Sequence, residues 1–165
     1  MFSIEIKEIF SSQIAAYRML LAIGSNEETL LITPRENLEA AFPTKDCYDS
    51  FTLGAYADNV LAGVVSFARE GEDREKLRHK GMLFTMYVST EFRGYGIAAK
   101  LLEEIIKRVQ KIPDIEQINL IVLSDNMRAK QLYEKFGFEK YGTEKHSIKW
   151  KGLYHSEDLM VLRLI

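Results

Sequence analysis

The sequence has few residues suited to disulfide or metal chemistry. Its single cysteine, Cys47, cannot form an internal disulfide. The chain also lacks the Cys-x-x-Cys pairs and Cys/His clusters that indicate structural zinc. We therefore predict neither a disulfide framework nor a metal site.

Long apolar runs are also lacking. Near the N-terminus the longest run covers residues 19–23, far below the roughly 20 residues that span a bilayer. The opening segment MFSIEIKEIF does not have the charged region followed by an apolar core that marks a signal peptide. These two features predict a soluble, cytoplasmic protein without a membrane partner.

The charge balance favours neither sign. The chain carries 22 Lys and Arg against 24 Asp and Glu, a net charge of -2. This gives no electrostatic reason to expect a nucleic-acid partner. With 165 residues, of which 47% are hydrophobic and 28% charged, the chain can bury a sizeable core as one globular domain, residues 1–165.

The hydrophobic pattern predicts the element order β-α-α-β-β-β-α-β-α-β-β, an α/β fold with a mixed sheet. Thr33, Pro34 and Glu36 form a capping-box pattern, so we expect a short helix from there to about Phe42. The charged segment 69–80 is predicted to be a solvated loop. The apolar segment 81–89 is predicted to be a central strand.

A glycine-rich segment, VSTEFRGYGIAAKLLEEI at residues 88–105, joins that strand to a helix. The first turn of a helix has free backbone N–H groups and a partial positive charge. Gly94 and Gly96 leave those donors uncovered, and the Arg93 guanidinium suits phosphate. The segment therefore predicts a phosphate or pyrophosphate site. One helix face is apolar and should pack on the sheet: Ala98, Leu101, Leu102, Ile105 and Val109.

Two alternatives explain the same glycines. An ordinary strand-to-helix turn also uses glycine for positive φ. Residues 94–99 also fit the dinucleotide pattern G-x-G-x-x-A, but that pattern requires an acidic residue at the end of the next strand. Here Asp114 precedes the next strand, which disfavours a nucleotide-binding oxidoreductase.

A second motif, SDNMRAKQLYEKFGF, covers residues 124–138. It predicts a helix with Asn126 or Asp125 as N-cap and Gly137 at the C-terminus. Tyr133 lies on the face that should meet the sheet. Taken alone, Asn126 would be only a cap and Tyr133 only a core aromatic residue.

The two motifs together resemble the GCN5-related N-acetyltransferase (GNAT) superfamily. The resemblance rests on the run Arg93-Gly94-Tyr95-Gly96-Ile97-Ala98 and on a second set at helical spacing: Asn126, Ala129, Leu132, Tyr133, Phe136, Gly137 and Phe138. It is close over residues 82–138, an acetyl-CoA-binding core, and leaves residues 1–45 as the variable acceptor-side part. It implies a mixed, mostly antiparallel sheet of about six to seven strands with about four helices.

The resemblance also implies the positions of the site residues. The glycine turn would bind the pyrophosphate of acetyl-CoA, residues 86–88 would pair with its pantetheine arm, and Asn126 and Tyr133 would lie beside the arm and thioester. The implied cofactor-binding residues are Met86, Val88, Arg93, Gly94, Gly96, Ile97, Ala98, Ala99, Asn126 and Tyr133.

The expected reaction is direct attack of an amine on the thioester in a ternary complex. Tyr133 would be the general acid for the thiolate, and a backbone N–H at the end of the 86–88 strand would stabilise the oxyanion. The general base stays open among scattered carboxylates: Glu27, Glu28, Glu70, Glu157 and Asp158. His146 and His155 are equally weak candidates, and Trp150 and Tyr154 either line an acceptor pocket or close the sheet.

The acceptor itself is not specified by the sequence. A small amine and a peptide N-terminus both fit the expected reaction. A non-catalytic acyl-CoA-binding or sensor module with the same fold is the alternative, although such a module has no need of a proton donor at position 133. A homodimer is implied by the resemblance.

Overall fold

The computed structural model describes residues 1–25, 27 and 31–165. The elements follow the predicted order. The strands are β1 (Ile4–Ile9), β2 (Ser50–Ala57), β3 (Val60–Arg69), β4 (Lys80–Val88), β5 (Gln117–Leu123), β6 (Glu139–Trp150) and β7 (Leu153–Arg163). The helices are α1 (Ile14–Gly24), α2 (Pro34–Glu39), α3 (Ile97–Val109) and α4 (Met127–Lys135), with 3-10 turns at Ser11–Gln13, Glu75–Leu77 and Thr90–Phe92.

The seven strands are hydrogen-bonded in the order β1-β2-β3-β4-β5-β7-β6. The pairs β1–β2, β2–β3, β5–β7 and β7–β6 are antiparallel, whereas β4 and β5 pair in parallel. In the part of the chain that the structure describes, these strands and four helices confirm the predicted mixed α/β fold with a mostly antiparallel sheet.

The residues form two compact units. The first contains Met1–Ala68 and Leu83–Pro113, and the second contains Arg69–Met82 and Asp114–Ile165. β4 contributes its last six residues to the first unit and its first three to the second. The first unit therefore holds α1, α2 and α3, and the second holds α4 and the β6–β7 hairpin.

The core of the first unit confirms the predicted face of α3. Leu101, Leu102, Ile105 and Val109 are fully buried, while Ala98 is only partly buried. A further buried cluster joins α1 to the sheet: Ile9, Tyr17, Leu20, Leu21, Val64 and Tyr87. Apolar spacing on α1 and α3 therefore decides which helix faces are buried.

The capping box that begins α2 is confirmed. Thr33 Oγ1 accepts from the Glu36 N–H at 3.3 Å, and the Glu36 carboxylate accepts from the Thr33 N–H at 2.8 Å. The helix ends at Glu39, so the prediction that it reaches about Phe42 was wrong. Ala40 is already extended, with ψ 138°. Pro43 disfavours helical geometry at Phe42, the residue before it, so the predicted last residue is unfavourable in the helix.

The boundaries of the charged connector also differ from prediction. Its first residue, Arg69, belongs to β3, and its last, Lys80, belongs to β4. Arg69 is buried because its guanidinium donates to Asp114 Oδ1 at 3.0 Å and to the Arg78 carbonyl. The composition of the segment predicts exposure to solvent, but Arg69 can be buried because these hydrogen bonds pair its charge.

Candidate active site

The segment of β4 predicted to hold the pantetheine arm lies past its pairing with β5. The β4–β5 register runs only from Lys80 to Met82, yet β4 continues to Val88. Between the two parts, Thr85 has φ +48°, a conformation that β-branched residues rarely adopt. Within the described residues, Met86 and Val88 thus have no partner on β5, which leaves that edge of β4 without the ladder bonds of its first part.

The glycine turn has both properties that the sequence suggested, a positive φ and an uncovered approach for a ligand. Gly94 and Gly96 have φ +88° and +76°, which explains why glycine is needed for the backbone alone. A Cβ built on either residue meets no atom within 4 Å, so the turn is also open on its outer side. The positive φ and the open approach are both present, and Gly96 is the N-cap of α3.

The N-terminus of α3 presents free donors beside this turn. The Lys100 N–H donates to the Gly96 carbonyl at 3.1 Å. The N–H groups of Ile97, Ala98 and Ala99 precede that bond and have no partner within the helix. No acidic residue occupies the first turn, and the Ile97 side chain is buried. Ile97 therefore offers a ligand only its backbone, and the helix end is suited to an anion.

Arg93 is already paired in this structure. Its Nε donates to the Val88 carbonyl at 2.9 Å, and its Nη2 donates to Glu27 Oε2 at 2.7 Å. Its guanidinium also lies 5.7 Å from the centre of the Tyr87 ring. The predicted phosphate contact of Arg93 thus has a competing partner, whereas the first backbone N–H groups of α3 have none among the described residues.

Glu27 has a bonding environment that its sequence position does not indicate. Besides the ion pair with Arg93, its Oε1 accepts from the Tyr87 hydroxyl at 3.2 Å and from Thr90 Oγ1 at 3.3 Å. Burial and the nearby Glu27 carboxylate raise the pKa of Tyr87. Sequence reasoning missed Tyr87 and Thr90, because more than fifty residues separate each of them from Glu27 along the chain.

In the second unit, α4 is built as predicted. Asn126 is the N-cap, and its side chain accepts from the Ala129 N–H at 3.2 Å. The helix is followed by Gly137 with φ +93°. Of the two candidate caps, Asn126 is therefore the one the structure selects.

Tyr133 lies on the buried face of α4. Its side chain is 6% exposed and packs edge-to-face on Phe138, with ring centres 5.7 Å apart. Its hydroxyl makes no hydrogen bond with any residue of the described chain. Burial raises the pKa of Tyr133 to about 12. The phenol therefore carries its proton at neutral pH, as an ordinary tyrosine also does.

Asp158 is an unsuitable base. It is buried and accepts from Ser124 and Thr143 at 2.8 Å each, and it forms an ion pair with Lys130 at 2.6 Å. Burial favours a raised pKa, but the hydrogen bonds from Lys130, Ser124 and Thr143 outweigh it and hold the pKa of Asp158 well below its usual range. The carboxylate is therefore ionised, with both hydroxyl donors on Oδ1 and the Lys130 ammonium beside Oδ2, and it links α4 and β6 to β7.

The other candidate bases show no distinct catalytic geometry. Glu70 pairs with Lys80 at 3.5 Å, and Glu157 is partly exposed on β7. His146 is exposed and stacks on Tyr154, with ring centres 4.9 Å apart. Glu28 lies outside the described residues. The structure thus brings the glycine turn together with the end of β4 in the first unit, while Asn126 and Tyr133 belong to the second.

The sequence matches the model of the acetyltransferase (GNAT) family over residues 17–138, more than half of the chain and including both motifs. The chain belongs to the GNAT acetyltransferase family. It is accordingly an N-acetyltransferase that uses acetyl-CoA, which confirms the enzyme class and the cosubstrate inferred from the resemblance.

Curated relatives of this GNAT acetyltransferase are named for different amine acceptors. The spermine/spermidine N(1)-acetyltransferase of Bacillus subtilis (strain 168) is 25% identical over 141 residues, covering 85% of this chain and 90% of that protein. The L-amino acid N-acetyltransferase of Escherichia coli (strain K12) is 32% identical over 71 residues, covering 43% of this chain and 44% of that protein. The relatives therefore agree on the transferred group and differ in the acceptor.

Solved structures confirm the GNAT fold. A GNAT-family acetyltransferase from Streptococcus pneumoniae superposes with a TM-score of 0.82 at 24% identity, covering 98% of this chain and 99% of that one. A putative acetyltransferase from Salmonella typhimurium, solved with acetyl-CoA, gives 0.79 at 17% identity, covering 99% and 95%. In the described part of the chain, no helix is long and apolar enough to cross a membrane.

Proposed function

We propose that this GNAT acetyltransferase transfers the acetyl group directly to a primary amine in a ternary complex, with Tyr133 as the general acid. The observation that carries this assignment is the Tyr133 side chain, which lies on the buried face of α4 and whose hydroxyl has no hydrogen-bond partner among the described residues. Among the described residues, the Tyr133 oxygen is not one of the fully buried polar atoms without a partner, so the hydroxyl keeps contact with solvent and can donate to a leaving thiolate.

The phosphates of acetyl-CoA are assigned to the glycine turn and the first turn of α3. The open faces of Gly94 and Gly96 and the free N–H groups of Ile97, Ala98 and Ala99 support this assignment. The pantetheine arm is assigned to the backbone of residues 86–88, which continue β4 beyond its pairing with β5. Asn126 lies beside the arm in this proposal.

The reaction then requires four events. The neutral amine attacks the thioester carbonyl, and a backbone N–H at the end of β4 stabilises the oxyanion that forms. The C–S bond breaks as the carbonyl re-forms, and Tyr133 protonates the departing thiolate. The amine nitrogen releases its extra proton to water, since the Lys130 ammonium and two hydroxyl donors make the Asp158 carboxylate a weak base. Solvent returns a proton to Tyr133.

A small-molecule amine or a peptide N-terminus is the proposed acceptor class, since relatives are named for polyamines and amino acids, and a yeast relative is named as an N-alpha-acetyltransferase. A homodimer, a cytoplasmic location and a single domain over residues 1–165 accompany this proposal as predictions. Light scattering of the purified protein tests the first of them.

An acceptor screen tests the proposed function. Acetyl-CoA would be mixed with polyamines, amino acids and short peptides, with thiol release and product mass measured together. We expect thiol release that depends on a primary amine and an acetylated amine in equal amount, while tertiary amines give neither. Acetyl-CoA binding without turnover for every amine would instead support the non-catalytic acyl-CoA sensor.

A further inference from the structure

Glu27 and Arg93 form an ion pair directly beside the proposed phosphate site. Arg93 immediately precedes Gly94, the first glycine of the turn. The pair is only half-buried, with 31% of the Arg93 side chain and 28% of the Glu27 side chain exposed. Ion pairs this open to solvent are weak, so a stronger anion can displace one partner.

The geometry leaves Arg93 able to change partner. Its Nε is held by the Val88 carbonyl, but Glu27 engages only Nη2. A guanidinium forms its strongest contacts with phosphate through two parallel N–H groups. A pyrophosphate at the first turn of α3 would attract Arg93 and repel the Glu27 carboxylate, so the two anions oppose each other at one cation.

Glu27 would remain in place after such an exchange. The Tyr87 hydroxyl and Thr90 Oγ1 both donate to its Oε1, independently of Arg93. Both donors are neutral, so the carboxylate would then lack a charged partner. It would lie at the end of β4, next to the segment assigned to the pantetheine arm.

We propose, on the basis of the proposed function, that the CoA pyrophosphate competes with Glu27 for Arg93 and that CoA binding thereby frees Glu27 to bind the ammonium group of a cationic acceptor. Glu27 is then a specificity-determining residue that favours amines carrying a second positive charge. The reacting nitrogen is neutral when it attacks, so the ammonium that Glu27 binds is a different group of the same acceptor.

A substitution with a matched control tests the competition. Glu27→Gln keeps the size of the side chain and removes its charge. Glu8→Gln is the control, because Glu8 pairs with Arg108 at 3.0 Å, with 27% and 34% of the side chains exposed, and Arg108 lies 5.8 Å from the Phe51 ring. Calorimetry should show CoA binding about two- to five-fold tighter in Glu27→Gln and unchanged in Glu8→Gln. Equal or weaker CoA binding in Glu27→Gln would overturn the proposal.

A double variant shows whether the effect passes through Arg93. In an Arg93→Ala background, Glu27→Gln should lose most of its gain in CoA affinity. If the full gain persists, Glu27 does not act by competing for Arg93, and the proposal fails. Thermal unfolding of each variant establishes that it is folded before its affinity is compared.

The acceptor part is tested by kinetics. With a diamine acceptor, the KM of Glu27→Gln should rise several-fold while kcat changes little, and with a monoamine of similar length both should stay near the parent values. Equal KM changes for the two acceptors would overturn the specificity role. A wild-type protein that neither binds CoA nor acetylates any amine would reject the proposed function itself, which distinguishes the two failures.

Discussion

Two buried tyrosines of this protein differ in what their hydroxyl groups do. Tyr17 and Tyr133 are each 6% exposed, and burial raises the pKa of both to about 12. A side-chain interaction with Thr85 lowers the pKa of Tyr17 against the effect of burial, whereas burial alone shifts the pKa of Tyr133, whose hydroxyl has no partner among the described residues. Tyr17 therefore has a structural role, and Tyr133 is the one with an O–H available for a substrate.

The general-acid role of Tyr133 predicts a specific kinetic defect in Tyr133→Phe. This variant keeps the ring that packs on Phe138 and removes only the donor. We expect kcat to fall about 10²–10⁴-fold, with acetyl-CoA affinity and melting temperature close to the parent values. Tyr141→Phe, at an exposed tyrosine of β6, is the control and should leave kcat, acetyl-CoA affinity and melting temperature unchanged. A Tyr133→Phe enzyme that retains most of the parent kcat would remove Tyr133 from the mechanism.

The raised pKa values of these two tyrosines predict a loss of stability at alkaline pH. In the unfolded chain a tyrosine deprotonates near pH 10, while in the folded protein Tyr17 and Tyr133 hold their protons to about pH 12. Since the unfolded state then binds fewer protons, stability is present in full below pH 10 and falls as the pH rises towards 12. Urea unfolding between these pH values should show this fall, and each Tyr→Phe substitution should reduce it. An equal fall in the free energy of unfolding in both variants and the parent would contradict the raised pKa values of Tyr17 and Tyr133.

At the scale of elements, the turn before α3 combines a backbone requirement with an open surface. Gly96 and Gly152 make a matched pair, because both have positive φ, +76° and +79°, and at both a Cβ would meet no atom within 4 Å. Gly96 is the N-cap of α3, while Gly152 lies in the β6–β7 turn outside both motifs. Alanine should therefore introduce a similar backbone strain at the two positions.

The consequence for ligand binding differs between the two glycines. Gly96→Ala should weaken CoA binding at least several-fold, because its methyl group approaches the phosphate position, and Gly152→Ala should leave CoA binding unchanged. Calorimetric titration with CoA measures both. Equal CoA affinities for the two variants would show that the glycine serves only the turn.

The helix that carries Tyr133 is fixed by the ion pair between Lys130 on α4 and Asp158 on β7. Both side chains are largely buried, at 14% and 1% exposure. Lys130→Met should destabilise the protein by roughly 3–5 kcal/mol, since it leaves a buried carboxylate without its nearest cation. Because the folded pKa of Asp158 lies below its unfolded value, this stability is present above the unfolded pKa and lost as the pH falls through the lower folded value. Urea titrations at neutral and acidic pH measure the free energy of unfolding and check both statements. An unchanged free energy of unfolding in Lys130→Met would contradict them.

The elements were more predictable from the sequence than the contacts between them. The α2 capping box and the apolar face of α3 depend on residues within four positions of one another, and both were confirmed. The Glu27–Arg93 pair joins residues 66 apart and leaves no periodic signal in the sequence. The end of α2 was predicted too late because the constraint that Pro43 places on Phe42, the residue before it, was overlooked. Interactions between residues close in sequence thus predict elements and caps, whereas contacts between residues distant in sequence decide which side chains are free to react.

At the scale of the whole molecule, each of the two units carries one of the family's motifs. The first unit contains the glycine turn and Glu27, and the second contains Asn126, Tyr133 and the network around Asp158. The match to the GNAT family extends across both motifs, and the reaction class was therefore predictable from them. The acceptor was not, because curated relatives with the same reaction are named for different amines.

Direct transfer makes a prediction about the intact chain. No step in the proposed reaction forms a covalent acetyl-enzyme, and the single cysteine, Cys47, lies outside both motifs with its thiol donating to Asp49 Oδ1 at 3.3 Å. Burial of Cys47 raises the pKa of this thiol and so disfavours its reactive thiolate.

The most direct test of the account is a single-turnover experiment with enzyme in excess over acetyl-CoA, followed by mass spectrometry of the intact protein and of the amine. Without an amine, we predict that the protein mass stays unchanged and acetyl-CoA persists. Addition of an acceptor from the screen should then place one acetyl group on the amine and none on the protein. An acetylated protein that forms first and then passes its acetyl group to the amine would contradict direct transfer through a ternary complex.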